Sequence, residues 1–264
     1  MKLPEFLRSR WRECCIGAAA VAAVVGLVWY LLENPYNQTF GRTVTEVPTT
    51  GKYVALTFDD GPNPPYTDQI AEYLHEQKVP ATFFVVGMAV EKYPDSVRRE
   101  IEYGDAIGNH SWDHAHLVLE TRHHIRYELQ ATDDAIVKAT GVHTNLFRPP
   151  FGARDYAVIQ VAHDMGYQVI MWSVPLPRDW EDPSPRVIAD RVLRHVENGS
   201  IIVLHDGNKG RGGDREATVE ATKLLVPELR AQGYRFVTVP QLIALGVSTE
   251  NTPQPSSDNI GGEP

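Results

Sequence analysis

Cysteine is almost missing from this 264-residue chain: Cys14 and Cys15 are adjacent and sit inside an apolar run. The remainder therefore has no disulfide framework and no thiolate ligands, so a metal centre there must be built from histidines and carboxylates. Basic charge is also scarce, with 25 Lys and Arg against 34 Asp and Glu and a net charge of −9. The first 13 residues hold Lys2, Arg8, Arg10 and Arg12 against Glu5 and Glu13, a surplus of +2, which leaves −11 for the rest. So acidic a body lacks the basic footprint that nucleic-acid binding needs, and nucleic acid is not an expected partner. The glycine-rich segment 207–213 lacks the Gly-Lys-Ser/Thr that opens a helix in a phosphate loop and reads as a mobile loop beside His205. No His-Glu-x-x-His occurs either, which argues against a metallopeptidase.

Charge is wholly absent from residues 14–32, a run of 19 residues, about 28 Å as a helix. With the basic head at 1–13, the positive-inside rule predicts a single-pass signal anchor at 14–32 with its N-terminus in the cytoplasm and the rest outside. A cleaved signal peptide and a buried core helix are the competing readings. The bulky Trp29-Tyr30-Leu31-Leu32 offers no small-x-small cleavage site. Residues 33–51, with Pro35, Asn37, Gly41, Pro48 and Gly51, read as a stalk, and 248–264 as a disordered tail.

Between these lie apolar runs at 53–59, 81–87, 106–110, 146–149, 168–174, 200–205 and 235–239. Segments of helical periodicity separate them, such as 66–77, 121–140, 185–195 and 216–232. Seven strand–helix units in series predict a parallel α/β sheet with crossovers, either open and doubly wound or closed as a barrel. Polar groups recur at the strand C-terminal ends, where such folds gather their chemistry: Asp59-Asp60, His110, Arg148, Trp172 and His205-Asp206. Adjacent carboxylates repel unless a cation lies between them, so Asp59-Asp60 is either a solvated turn or a site. His110 and His114, four apart, would meet on a helical turn. With Asp60 they would make a His-His-carboxylate set that leaves one position open, as in catalytic zinc sites. His116, His123, His124 and His195 read as surface residues.

Five motifs in order carry a resemblance: Thr57-Phe58-Asp59-Asp60-Gly61-Pro62, His110-Ser111-Trp112-Asp113-His114, Arg148-Pro149-Pro150-Phe151-Gly152, Asp179-Trp180 and Leu204-His205-Asp206. Residues 52–243 thereby resemble the NodB homology domain of the polysaccharide deacetylases, carbohydrate esterase family four. The resemblance implies a distorted (β/α)7 barrel of parallel strands and a metal-dependent hydrolase that removes N-acetyl groups from a glycan. It implies Asp60, His110 and His114 as ligands of a divalent metal, zinc with cobalt or nickel as alternatives. Asp59 would be the general base acting on the attacking water, and Arg148 its partner. The backbone N–H of Phe151 would bind the oxyanion. His205, its pKa raised by Asp179, would protonate the leaving amine, and Trp180 and Leu204 would form the pocket for the acetyl methyl group. Two departures stand out. Phe151 replaces the usual Tyr, and the fourth motif, Trp172 to Trp180, is one residue longer and lacks an earlier Asp. The anchor favours a polymer at the cell surface, with peptidoglycan ahead of chitooligosaccharides or an exopolysaccharide. A catalytically silent glycan-binding protein on the same fold is the other class of reading.

Overall fold

The computed structural model describes residues 5–174 and 177–250, with side chains over 14–174 and 177–246. The first four residues and most of the expected tail lie outside them. Helix α1 (Glu5–Glu33) contains the predicted apolar span. Cys14–Glu33 is long and apolar enough to cross a membrane, and residues 14–30 are exposed along their whole length.

The body alternates strand and helix: β1 (Tyr53–Asp59), α2 (Tyr66–Glu76), β2 (Thr82–Val85), α3 (Gly87–Lys92), α4 (Pro94–Glu102), β3 (Ala106–Asn109), α5 (Arg122–Thr140) and β4 (Leu146–Phe147). It continues through α6 (Tyr156–Asp164), β5 (Gln168–Val169), α7 (Pro185–Leu193), β6 (Ser200–His205), α8 (Glu216–Ala231), β7 (Arg235–Phe236) and α9 (Val239–Glu250). All pairings are parallel, in the order β5-β4-β3-β2-β1-β6, with β7 also on β1. The seven predicted strands are all present, and the sheet curls into the distorted barrel.

Closure between β5 and β6 comes partly from the segment expected as a stalk. Val44 bridges Ile170 and Glu46 bridges Ser200, while Thr43, Thr45 and Val47 are buried. Residues 43–47 therefore behave as a wedge in the open seam of the barrel. Their Thr-rich composition reads as loop, yet the Val44 N–H donates to the Val169 carbonyl at 2.8 Å, the Val44 carbonyl accepts from the Met171 N–H at 2.7 Å, and the Val47 N–H donates to the Gly199 carbonyl at 3.0 Å. Beyond this wedge, Ser173 donates its N–H to the Ile201 carbonyl at 3.0 Å and joins the two edges directly.

Period-two alternation sorts the strand residues into two cores. Leu56, Phe58, Ile202 and Leu204 pack outward against Ile70, Leu74, Ile188 and Leu225 of the surrounding helices. Ala55 and Ile201 point inward with Phe84, Ile170 and Leu146. The same parity aims Thr57 and Asp59 of β1, and Val203 and His205 of β6, into the barrel mouth. Register pairs Asp59 directly with His205.

Candidate active site

A cleft of about 490 Å³ opens at the C-terminal ends of the strands. Asp59, Asp60, His110, His114, Phe151, Trp172, Trp180, Val203 and His205 line it, together with Glu33, Lys209 and Arg215. Asp60 follows the last residue of β1 in the left-handed region, with φ 78°. That turn carries its carboxylate away from Asp59 toward the β3 end. Gly207 packs over it so tightly that a Cβ there would lie 2.1 Å from the Asp60 carbonyl oxygen.

His110 and His114 meet Asp60 Oδ1 through Nε2 at 3.4 and 3.0 Å. Their spacing was expected to act through a helical turn. Instead residues 110–114 form an irregular loop, and left-handed backbone at Ser111 and His114 folds the two rings together. His114 N–H donates to Ser111 Oγ at 3.1 Å, and Ser111 N–H to Asn109 Oδ1 at 2.9 Å, which pins that loop. His110 Nδ1 lies 2.8 Å from the Arg148 carbonyl. A carbonyl only accepts, so Nδ1 carries the proton and Nε2 presents a lone pair to Asp60.

These three buried groups bring ligand atoms within 4.8 Å of one another. Asp60 Oδ1 is buried with no hydrogen-bond partner. Burial alone would push the Asp60 carboxyl up; a proton on the facing imidazole nitrogens pulls it well below the usual range, and that is the place a bound cation would take. Burial pushes His114 down and so keeps its ring neutral. An ionised oxygen facing two imidazole nitrogens is the donor set of a cation site, and the residues fit a divalent metal.

Arg148, at the end of β4, crosses the barrel interior fully buried. Its Nη1 donates to Asp59 Oδ1 at 2.6 Å and to Thr57 Oγ1 at 2.8 Å, and its Nη2 to the Met171 carbonyl at 3.0 Å. The guanidinium also lies 4.0 Å from the centre of the Phe84 ring. Burial lowers its pKa and Asp59 offsets part of that. The pair is thus a buried ion pair whose remaining donors are taken up by carbonyls, and the Asp59 carboxylate stays oriented toward the cleft.

Asp179 reaches the site despite the altered fourth motif. Its Oδ1 is 2.9 Å from His205 Nδ1, while Oδ2 accepts from the His205 N–H at 2.6 Å and from Thr218 Oγ1 at 3.0 Å. Burial pulls His205 down, but the Asp179 carboxylate outweighs it and the ring is raised to about 9. Trp180 meets the His205 ring edge-on, with centroids 5.1 Å apart. Phe151 has φ 60°, and His116 stacks flat upon its ring at 3.7 Å. His116 thus stands outside the Asp60 cluster and backs the Phe151 ring that lines the cleft.

Leu204 departs from expectation. It faces the helix-side core beside Phe58, and the neighbouring Val203 lines the cleft. Strand parity decides this, because a one-residue shift moves a side chain to the opposite face. Leu204→Ala is expected to cost about 2–5 kcal/mol of stability with KM unchanged in the folded protein, measured by chemical denaturation alongside kinetics. Sequence reasoning also missed Thr57, Thr218, Val203 and Glu33. Thr57 sits inside the first motif and shares its inward parity with Asp59, which is the signal that marks it; Glu33 had no signal at all. Asp206 lies beneath the floor, hydrogen-bonded to Thr67, and burial, reinforced by Asp60, pushes it up to about 7.

A family model described as polysaccharide deacetylase matches residues 46–170. The peptidoglycan-N-acetylglucosamine deacetylase of Bacillus cereus is 38% identical over 204 residues, which are 77% of this chain and 93% of that protein. A chitooligosaccharide deacetylase of Rhizobium leguminosarum bv. trifolii is 35% identical over 219 residues, 80% of this chain and 98% of that protein. The crystal structure of the Bc1960 peptidoglycan N-acetylglucosamine deacetylase superposes with a TM-score of 0.70 at 31% identity, covering 76% of this chain and 92% of that one. With the parallel barrel and the Asp-His-His cluster at its mouth, these matches show that the chain belongs to the polysaccharide deacetylase family, carbohydrate esterase family four.

Proposed function

We propose that this enzyme hydrolyses the N-acetyl groups of a glycan outside the cytoplasmic membrane, with the amino sugars of peptidoglycan as its substrate class. The observation that carries this reading is the buried Arg148–Asp59 pair at 2.6 Å, one residue from the Asp60, His110 and His114 cluster and facing His205. In it Asp60, His110 and His114 would hold a divalent metal, zinc with cobalt or nickel as alternatives. Such an ion supplies Lewis-acid charge to the amide carbonyl and to the attacking water.

The chain's own groups divide the proton transfers. Asp59, oriented by Arg148, takes a proton from the attacking water as the new C–O bond forms. The Phe151 N–H donates to the oxyanion. His205 holds its Nδ1 proton on Asp179 and gives the Nε2 proton to the amide nitrogen as the C–N bond breaks. Acetate and a free amine result, and the general base and acid exchange protons with water before the next turnover. Trp180 and Val203 border the space for the acetyl methyl group. Helix α1 would anchor the enzyme from 14 to 32 with residues 1–13 inside, and the catalytic unit would run from 43 rather than 52, because the seam wedge is part of it.

Full-length protein is expected to release acetate from peptidoglycan or chitin oligomers, to lose this on chelation, and to regain it with zinc or cobalt. Release that persists undiminished in a metal-free preparation sinks the metal role. No release from either glycan after reloading sinks the deacetylase reading.

A further inference from the structure

The C-terminal end of α1 is part of the cleft wall. Glu33, its last residue, lines the cleft. Trp29, one turn earlier, meets His116 with ring centroids 6.1 Å apart, and His116 is the ring stacked on Phe151. Arg154 fixes this placement. It is 1% exposed and donates through Nη2 to the carbonyls of Asn34, Pro35 and Asn37 at 2.8, 3.1 and 2.9 Å. Its backbone N–H reaches the Leu32 carbonyl at 3.0 Å. Burial lowers the guanidinium to about 10, and no carboxylate pairs with it among the described residues. A buried cation solvated only by backbone carbonyls is costly. Here it latches the chain leaving the helix to the rim of the active site.

The latch removes any tether. Nineteen free residues between 33 and 51 would reach roughly 60 Å, but these are held by Arg154, by the Tyr36 hydroxyl on the Ser173 carbonyl at 2.8 Å, and by the seam wedge. If α1 spans a bilayer, Trp29 and Tyr30 fall at its outer interface, where such rings gather. The cleft then begins about 6 Å further on, one helical turn away. Two large apolar side chains stand exposed within three residues of the groups that hold the helix end: Leu119 at 72% and Tyr156 at 61%. Leu119 is three residues past His116, and Tyr156 two past Arg154. Both suit contact with the headgroup region rather than water.

From this geometry, and resting on the deacetylase and membrane readings above, we infer that the substrate is an N-acetylated sugar carried on a lipid in the same bilayer, taken at the membrane surface. Distant strands of a finished wall lie beyond a domain that has no free tether.

The test uses full-length protein, loaded with zinc, in phosphatidylglycerol–phosphatidylcholine vesicles. One substrate is a dialkylglycerol glycolipid bearing di-N-acetylchitobiose and the other is soluble chitotetraose at the same bulk concentration. Acetate release is expected to be at least about tenfold faster from the glycolipid, since both partners share one surface. Leu119→Asp with Tyr156→Asp is expected to slow the glycolipid at least about fivefold by tilting the cleft off the interface, with chitotetraose unchanged. Equal or faster release from chitotetraose overturns the inference alone, as does a double variant that slows both substrates alike or neither. Protein that fails to float with vesicles overturns it together with the membrane reading. Absence of acetate from both substrates overturns it together with the deacetylase reading.

Discussion

Asp59→Asn is expected to lower kcat by about two to four orders of magnitude, the share a positioned general base supplies, while the protein still folds and still binds its metal. Asn keeps a carbonyl oxygen for the Arg148 Nη1 donor now 2.6 Å from Asp59 Oδ1, so the buried guanidinium loses a charge partner but not a hydrogen bond. Only the proton acceptor goes. Asp60→Asn separates the two adjacent carboxylates by role: metal content should fall there and stay unchanged in Asp59→Asn, measured by elemental analysis after gel filtration. Arg148→Met is the complementary change. It strands the Asp59 carboxylate in a buried site without its cation, and about 3–5 kcal/mol of stability is expected to go with it. If Asp59→Asn retains wild-type kcat, the base lies elsewhere and the proposed division of labour is wrong.

Much of this site was legible because its residues sit in rigid places. Asp59, Arg148 and His205 end strands, so the run of apolar residues before each one locates it, and the shared end of the sheet brings them together. Asp179 was legible as a residue type near the fourth motif even though the loop before it departs from the family pattern. What the sequence hid has physical causes. The run Ser200–His205 is buried on both faces except at its last residue, and a strand apolar on both faces carries no parity signal. Leu204 and Val203 could therefore not be told apart. Ser111 and His114 adopt left-handed backbone without a glycine to announce it, so a helical turn was the natural reading of their spacing. The seam wedge at 43–47 and the latch at Arg154 depend on partners more than a hundred residues away. A Thr-rich, Pro-flanked segment and a single arginine give no local trace of them. The barrel's existence is a matter of local periodicity; its closure is a matter of long-range contact.

Asp179→Asn is expected to move the alkaline limb of the kcat profile downward by about two pH units or more. His205 is at about 9, raised from 6.5. Burial works against that rise, which Asp179 supplies first, with smaller help from Asp60 and Asp59. A cation held by Asp60 would cancel the part Asp60 contributes and leave the Asp179 part, so the comparison between wild type and variant is firmer than either limb alone. Once the neighbouring charge is gone, burial of the ring prevails and its pKa falls to 6.5 or below. The proton donor is then mostly lost above neutrality. At pH 8 the variant should retain roughly one part in thirty of the wild-type rate or less, and at pH 5.5 much of that difference should close. A merely structural role for Asp179 predicts otherwise. Loss of its bonds to the His205 N–H and Thr218 would lower the melting temperature and scale kcat equally at every pH. Thr218→Val supplies the contrast, because it removes one of those bonds and leaves the carboxylate charge in place. Its limb should stay near that of the wild type. An alkaline limb that does not move in Asp179→Asn would remove His205 as the group that protonates the leaving amine.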